Sequence, residues 1–281
     1  MTRAAPMGEA TGGVATRPNG ELRKRLVPGA RHVVIALTRR EIVLASKRRL
    51  VRLLFLFSTL PPILLTLILL VRSLAEQMTN TRLPSDPLLQ FVQFQSLPVG
   101  LLALGLGTPL VARDRAEDVL FLYATRPVLP WHYALGRMLA VAVPAAALLV
   151  VPGLLIAILR VGITADLGAG AALDLVGRLA VVALLTAWGL AGVSVGASAV
   201  TRRARWAMLL ALLCFAVPDV VAKSISPRDP WPLGVGSAVS ELIASAFSRG
   251  DHGGIAAGAL LFYGWAGYWL TTRRVRGEMI P

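Results

Sequence analysis

Apolar residues fill this chain in long runs, separated by shorter polar segments rich in arginine. A run of about 20 apolar residues suits a helix crossing roughly 30 Å of hydrocarbon, because a helix pairs its backbone groups internally. Six such runs are legible, at 50–71, 88–112, 139–160, 175–200, 206–222 and 252–271. The fifth is short, and Gln90, Gln93 and Gln95 dilute the second, which softens both boundaries. The pattern predicts an all-α membrane protein with six transmembrane helices.

The segments between the runs differ in character. Residues 1–30 carry Gly, Pro, Thr and Arg without periodicity and read as a disordered basic tail. A single six-span domain then covers 31–276, and 277–281 is a short C-terminal tail. Residues 31–49 predict a helix just before the first span. Its wheel is ragged, with Val33, Leu37 and Leu44 on one face and Ile35 and Ile42 opposite, so interfacial placement is one reading among others. Between the fifth and sixth runs, Val239, Leu242, Ile243, Ala246 and Phe247 recur at helical spacing. They predict a short external helix on or dipping into the outer leaflet, with Ser237 as N-cap and Glu241 in its first turn. Gly192 with Gly196, and Gly254 with Gly258, have the spacing that lets helices approach closely. Packing within the chain is the first reading of both pairs, and a dimer contact the second. Tyr268 and Trp269 read as interfacial anchors.

Composition agrees with a lipid solvent. The chain is 56% hydrophobic and only 16% charged, against about 25% charged in a soluble domain. Its net charge of +14 would suit a nucleic-acid partner if it were clustered on a soluble face, but its distribution favours topology. With six spans, the side holding both termini carries 22 Lys and Arg against seven acids, and the other side seven against eight. The positive-inside rule then places both termini in the cytoplasm, and the basic face also attracts anionic lipid headgroups. The first apolar run begins too far in to be a signal peptide, so it is expected to stay in the mature protein. Cys214 is the only cysteine, which leaves no intrachain disulfide.

Candidate chemistry is sparse. Gly192-Val193-Ser194-Val195-Gly196 matches a nucleophile motif that needs a strand-to-helix elbow and a histidine–acid pair. Here it falls inside an apolar run, and the three histidines, His32, His132 and His252, lie elsewhere in the sequence. Small-residue packing accounts for the match. The sequence contains no HExxH and no P-loop pattern, so uphill transport would need energy from another chain or from a gradient.

The most distinctive polar segment is 112–138, a charged and aromatic island between the second and third runs. Asp114 follows the second run, and Arg126-Pro127, Tyr133 and Gly136-Arg137 lead into the third. This order resembles the cytoplasmic loop of the ABC type-2 transporter permease family, with Arg137 where lysine is usual. The likeness extends over 31–276 through the helix before the first span, the basic exits at Thr201-Arg202-Arg203 and after the sixth span, and the external helix.

The resemblance implies a permease subunit of an exporter in a bacterial inner membrane. It would pair with a second permease as a homodimer or heterodimer, driven by separate cytoplasmic ATPase subunits that hold ATP and magnesium. The chain itself would hold no cofactor. The loop 113–138 would be the coupling element. In it Val119, Leu120, Leu122 and Tyr123 would supply apolar contact, Arg115, Glu117, Asp118 and Arg126 would set register, and prolines 127 and 130 would end its helix. A loop whose apolar residues merely cap the bundle is the rival reading. By the same resemblance the first, second and fifth spans face the pathway, with Ser58, Thr59, Thr66, Gln90, Gln93 and Gln95 as its polar positions. Two other functions stay open, a membrane-embedded enzyme and a non-transporting anchor for a cytoplasmic partner.

Overall fold

A computed structural model describes residues 29–79, 87–124, 128–163, 169–227, 230–248 and 250–279. Arg126 and Pro127 lie outside them. Among the described residues there are nine helices and no strand: α1 (Ala30–Ser46), α2 (Arg49–Thr79), α3 (Pro87–Ala116), α4 (Leu120–Ala124), α5 (Pro130–Ile163), α6 (Ala169–Val200), α7 (Ala204–Ile225), α8 (Val235–Phe247) and α9 (Gly253–Met279).

Five of these, α2, α3, α5, α6 and α7, are long and apolar enough to cross a membrane. The sixth expected span lies in α9, which is long but is not among the five. Six glycines and the charged end Arg273, Arg274, Arg276 and Glu278 lower the apolar character of that helix. The long helices also overrun the expected spans. The third begins at Pro130, nine residues early, because proline at a first helical position loses no hydrogen bond. Leu129-Pro130 therefore opens a helix, where the sequence suggested that it ends one.

Helices α3 and α6 form the centre. They are 61% and 72% buried over their apolar windows, against 22% for α2 and 11% for α7. Close contact at the centre depends on glycine. A Cβ on Gly107 of α3 would stand 2.1 Å from Ser194 Oγ of α6. A Cβ on Gly192 would stand 2.5 Å from the Gly264 Cα of α9, and one on Gly196 2.8 Å from the Gly267 Cα. The first glycine pair thus packs within the chain. Gly254 and Gly258 face open space, so the second pair makes no such contact.

Prolines inside the spans leave carbonyls without a helical donor, and a neighbouring helix answers two of them. Ser58 O and Leu148 O lie four residues before Pro62 and Pro152. Gln95 Nε2 of α3 lies within hydrogen-bond distance of both, at 3.1 and 3.2 Å, and of Ser58 Oγ at 2.5 Å, so its two N–H groups are shared among three acceptors. Similarly, Val111 N–H and Ala112 N–H, in the turn after Pro109, donate to Ser198 Oγ of α6 at 3.0 and 2.8 Å.

The helix expected between the fifth and sixth spans is α8, whose Val239, Leu242 and Ile243 are buried against α3, α6, α7 and α9. Its capping differs from expectation. Gly234 is the N-cap, Ser237 lies inside the first turn, and Glu241 comes a turn later. Asp219 of α7 supplies the missing acceptor, taking Gly234 N–H at 2.8 Å and the Ser237 hydroxyl. Glu241 instead accepts His252 N–H at 3.0 Å. At the other end Arg178 of α6 donates to Ala246 O at 3.1 Å. An acid at the N-terminus and a cation at the C-terminus both oppose the helix dipole.

Candidate functional site

The island between α3 and α5 folds into a compact turn at one end of the bundle. Helix α3 closes on Asp118, whose φ of 52° is left-handed, and Val119 N–H reaches back to Asp114 O at 2.9 Å. This is a Schellman-type ending, which a short polar side chain such as aspartate tolerates. The chain reverses there and forms the single turn of α4.

Beneath the turn lies a buried ionic base. Arg137 of α5, only 3% exposed, pairs with Glu41 of α1 at 2.5 Å and with Asp114 of α3. Tyr133, one helical turn earlier, donates its hydroxyl to Asp114 at 2.6 Å and lies under the guanidinium at 5.0 Å. Tyr123 of α4 meets the Tyr133 ring edge-on at 5.4 Å and accepts a bond from Arg40 at 3.4 Å. Gly136 makes the approach of α1 possible. A Cβ there would stand 3.0 Å from Leu37 Cβ, and Thr38 donates to Gly136 O at 3.3 Å.

Arg115 builds a second tie. It donates through Nε to Glu278 of α9 at 2.8 Å and through Nη1 to Ala199 O, in the last turn of α6, at 2.6 Å. Satisfying a terminal helix carbonyl with a cation suits both its lone pair and the dipole. The two ties together hold α1, α3, α5, α6 and α9 at the same end of the bundle. No three His, Cys, Asp or Glu side chains among the described residues gather as metal ligands.

Which loop residues face outward differs from the sequence expectation. Leu120 and Tyr123 are buried, and Val119 is half-buried, so they support the turn from below. Arg115 is buried as well and sets the internal frame. Outward stand Phe121 and Leu122, 63% and 60% exposed, with Glu117, Asp118, Leu129 and Trp131 beside them. Sequence reasoning missed Phe121, Leu129 and Trp131. Helical periodicity over 119–123 could have found the first, since 119, 120 and 123 share one face and 121 and 122 the other.

Of the polar residues expected along a pathway, Ser58 and Gln95 are buried and bonded to each other between α2, α3 and α5. Their polarity serves the proline-broken helices. Thr59, Gln90 and Gln93 are exposed, and Thr66 is half-buried. The Ser194 hydroxyl donates to Leu190 O of its own helix at 2.8 Å, under Gly107.

The chain matches no family model and no curated protein.

A cavity of about 310 Å³ opens beside the ionic base, between α1, the end of α3 and the turn. Arg40, Arg48 and Arg113 line it together with Glu41, Asp114 and Glu117, above a floor of Leu44, Pro109 and Leu110. A second, more apolar groove of about 390 Å³ separates α1 from α4, along Val33, Ala36, Leu37, Tyr123 and Val128.

Proposed function

We propose that this chain is the membrane-spanning subunit of an ATP-binding-cassette exporter in a bacterial inner membrane. A separate cytoplasmic ATPase docks on the turn between α3 and α5. The observation that carries the reading is the build of that turn, an exposed apolar tip on a buried ionic base. Phe121 and Leu122 form the tip, and Glu117 and Asp118 beside them give a partner polar register. The base links the tip through Arg137 and Arg115 to five helices. A displacement imposed on the tip therefore reaches α1, α5, α6 and α9 directly, without passing through a flexible linker.

In this reading α9 is the sixth span, since 20 uncharged residues precede Arg273. Both termini and the turn are cytoplasmic, as the arginine distribution favours. Helices α2 and α7, the least buried, meet a second permease subunit or lipid. The exposed Gln90 and Gln93 of α3, which packs on both, face the passage. ATP and magnesium belong to the partner ATPase.

The test is co-purification with a candidate ATP-binding-cassette subunit from the same organism, followed by hydrolysis assays in proteoliposomes. Replacing Phe121 and Leu122 by serine is expected to weaken association and to lower substrate-stimulated hydrolysis at least tenfold, roughly the effect of losing one apolar anchor. Unchanged association would remove the turn as the docking element. Association with no ATP-dependent flux would leave an anchor and not a transporter.

A further inference from the structure

The charge at the elbow between α1 and α2 exceeds what the protein itself uses. Residues 39–52 hold Arg39, Arg40, Lys47, Arg48, Arg49 and Arg52 with one acid, Glu41, which is buried on Arg137. Lys47, Arg48, Arg49 and Arg52 make no ion pair among the described residues. Arg48 is half-buried all the same, and with Arg40 it faces the cavity of about 310 Å³ beside the ionic base. Each acid in that cavity is paired, Glu41 and Asp114 sharing Arg137, and Glu117 on Arg113 at 2.7 Å. Four arginines, Arg40, Arg48, Arg113 and Arg137, against three acids leave one positive charge in excess around this half-open space, and Arg40 and Arg48 pair with no acid among the described residues. Arg40 is exposed and donates to Tyr123, whereas Arg48 is half-buried without a counterion among the described residues, which is costly, so the site favours an anion from outside the chain.

The lining also indicates what kind of anion. Along α3 it descends from Glu117 through Arg113 and Asp114 to Leu110 and Pro109, one helical turn or about 6 Å further toward the apolar part of the span. Leu44 of α1 completes the apolar floor. Beyond the elbow, α2 presents the exposed side chains Leu53, Leu56 and Phe57. A ligand with an anionic head and hydrocarbon tails satisfies both levels at once, whereas a free phosphate would leave the floor unfilled.

We infer that this elbow binds one anionic phospholipid, with its phosphate between Arg40 and Arg48 and its glycerol region on Leu44, Pro109 and Leu110. The inference depends on the chain lying in a membrane, and not on what it transports. Bound lipid offsets the excess charge of the cavity and wedges α1 against α3, which steadies the ionic base from its open side.

The experiment uses the full chain in detergent, with retained lipid counted by native mass spectrometry after addition of phosphatidylglycerol or phosphatidylcholine. The wild type is expected to keep one phosphatidylglycerol in clear preference. Arg40→Gln with Arg48→Gln is expected to weaken that retention roughly 30-fold, at about a factor of five per cation. Arg39→Gln with Lys47→Gln removes the same charge outside the cavity and is expected to weaken retention of the single bound lipid clearly less. The single variant Arg48→Gln, whose side chain bonds to no other residue described, serves if the double variant does not fold. Equal losses in the two double variants would mean diffuse attraction and overturn the site. Equal retention of the two lipids would overturn it as well. Displacement of the lipid by millimolar inorganic phosphate would mark a free-anion site and overturn the lipid assignment.

Discussion

Gln95 has a demand written into the sequence but a supplier that only the fold reveals. Pro62 and Pro152 each remove an N–H, so the carbonyls of Ser58 and Leu148 must find donors in a medium that offers none. The sequence places glutamines in the same region and suggests a passage. It cannot say which of Gln90, Gln93 and Gln95 points inward, because that depends on how α3 is rotated against α2 and α5. Gln95 does so, and its amide answers both carbonyls. Gln95→Leu is expected to destabilise the protein by about 1–3 kcal/mol, the cost of leaving buried acceptors unpaired. Adding Pro62→Ala and Pro152→Ala restores the missing N–H groups, so the triple variant should recover most of that loss. Denaturation in mixed micelles reads both steps. A further loss in the triple variant would show that the prolines, not their orphaned carbonyls, shape the site.

At the scale of elements, what was legible follows from periodicity, and what was missed follows from contacts between helices. The apolar runs located every long helix, and the stripe from Val239 to Phe247 located α8 with its inward face. The inward face of α1 was not legible, because Thr38 and Glu41 occupy its centre and bury on Gly136 and Arg137. A buried acid whose partner lies 96 residues away leaves no local signal. The capping of α8 was missed for the same reason, since its acceptor and donor come from α7 and α6. Glycine spacing shows the limit most clearly, for two pairs with the same spacing have opposite surroundings. A Cβ on Gly267 would stand 2.0 Å from Gly192 O, whereas one on Gly258 meets nothing within 4 Å. Gly267→Ala should therefore lower the unfolding midpoint in detergent by several degrees, as overpacking of about 1–3 kcal/mol requires. Gly258→Ala should be neutral or raise it slightly through better helix propensity. Equal effects would mean that α9 does not sit on α6 as described.

At the scale of the whole molecule, the ionic base has two separable roles. It holds the end of the bundle together, and in the proposed function it passes motion from the turn to the spans. A buried cation between two carboxylates ties three helices in fixed register, which an apolar contact of similar area would do less specifically. Arg137→Gln leaves the buried Glu41 and the half-buried Asp114 without their cation, and is expected to cost about 3–5 kcal/mol. Loss of transport in that variant would say nothing about coupling, because the fold itself is weakened. The informative variant replaces all three members at once, Glu41→Gln, Asp114→Asn and Arg137→Leu. No unpaired charge remains among these three positions, so stability should return to within about 1–2 kcal/mol of the original. The register is gone, however, and the tip can move without carrying α1 and α5. Association with the ATPase should persist, hydrolysis should continue, and flux per ATP should fall severalfold. Unaltered flux per ATP in the stable triple variant would confine the base to a structural role and move the coupling route to Arg115 and α9.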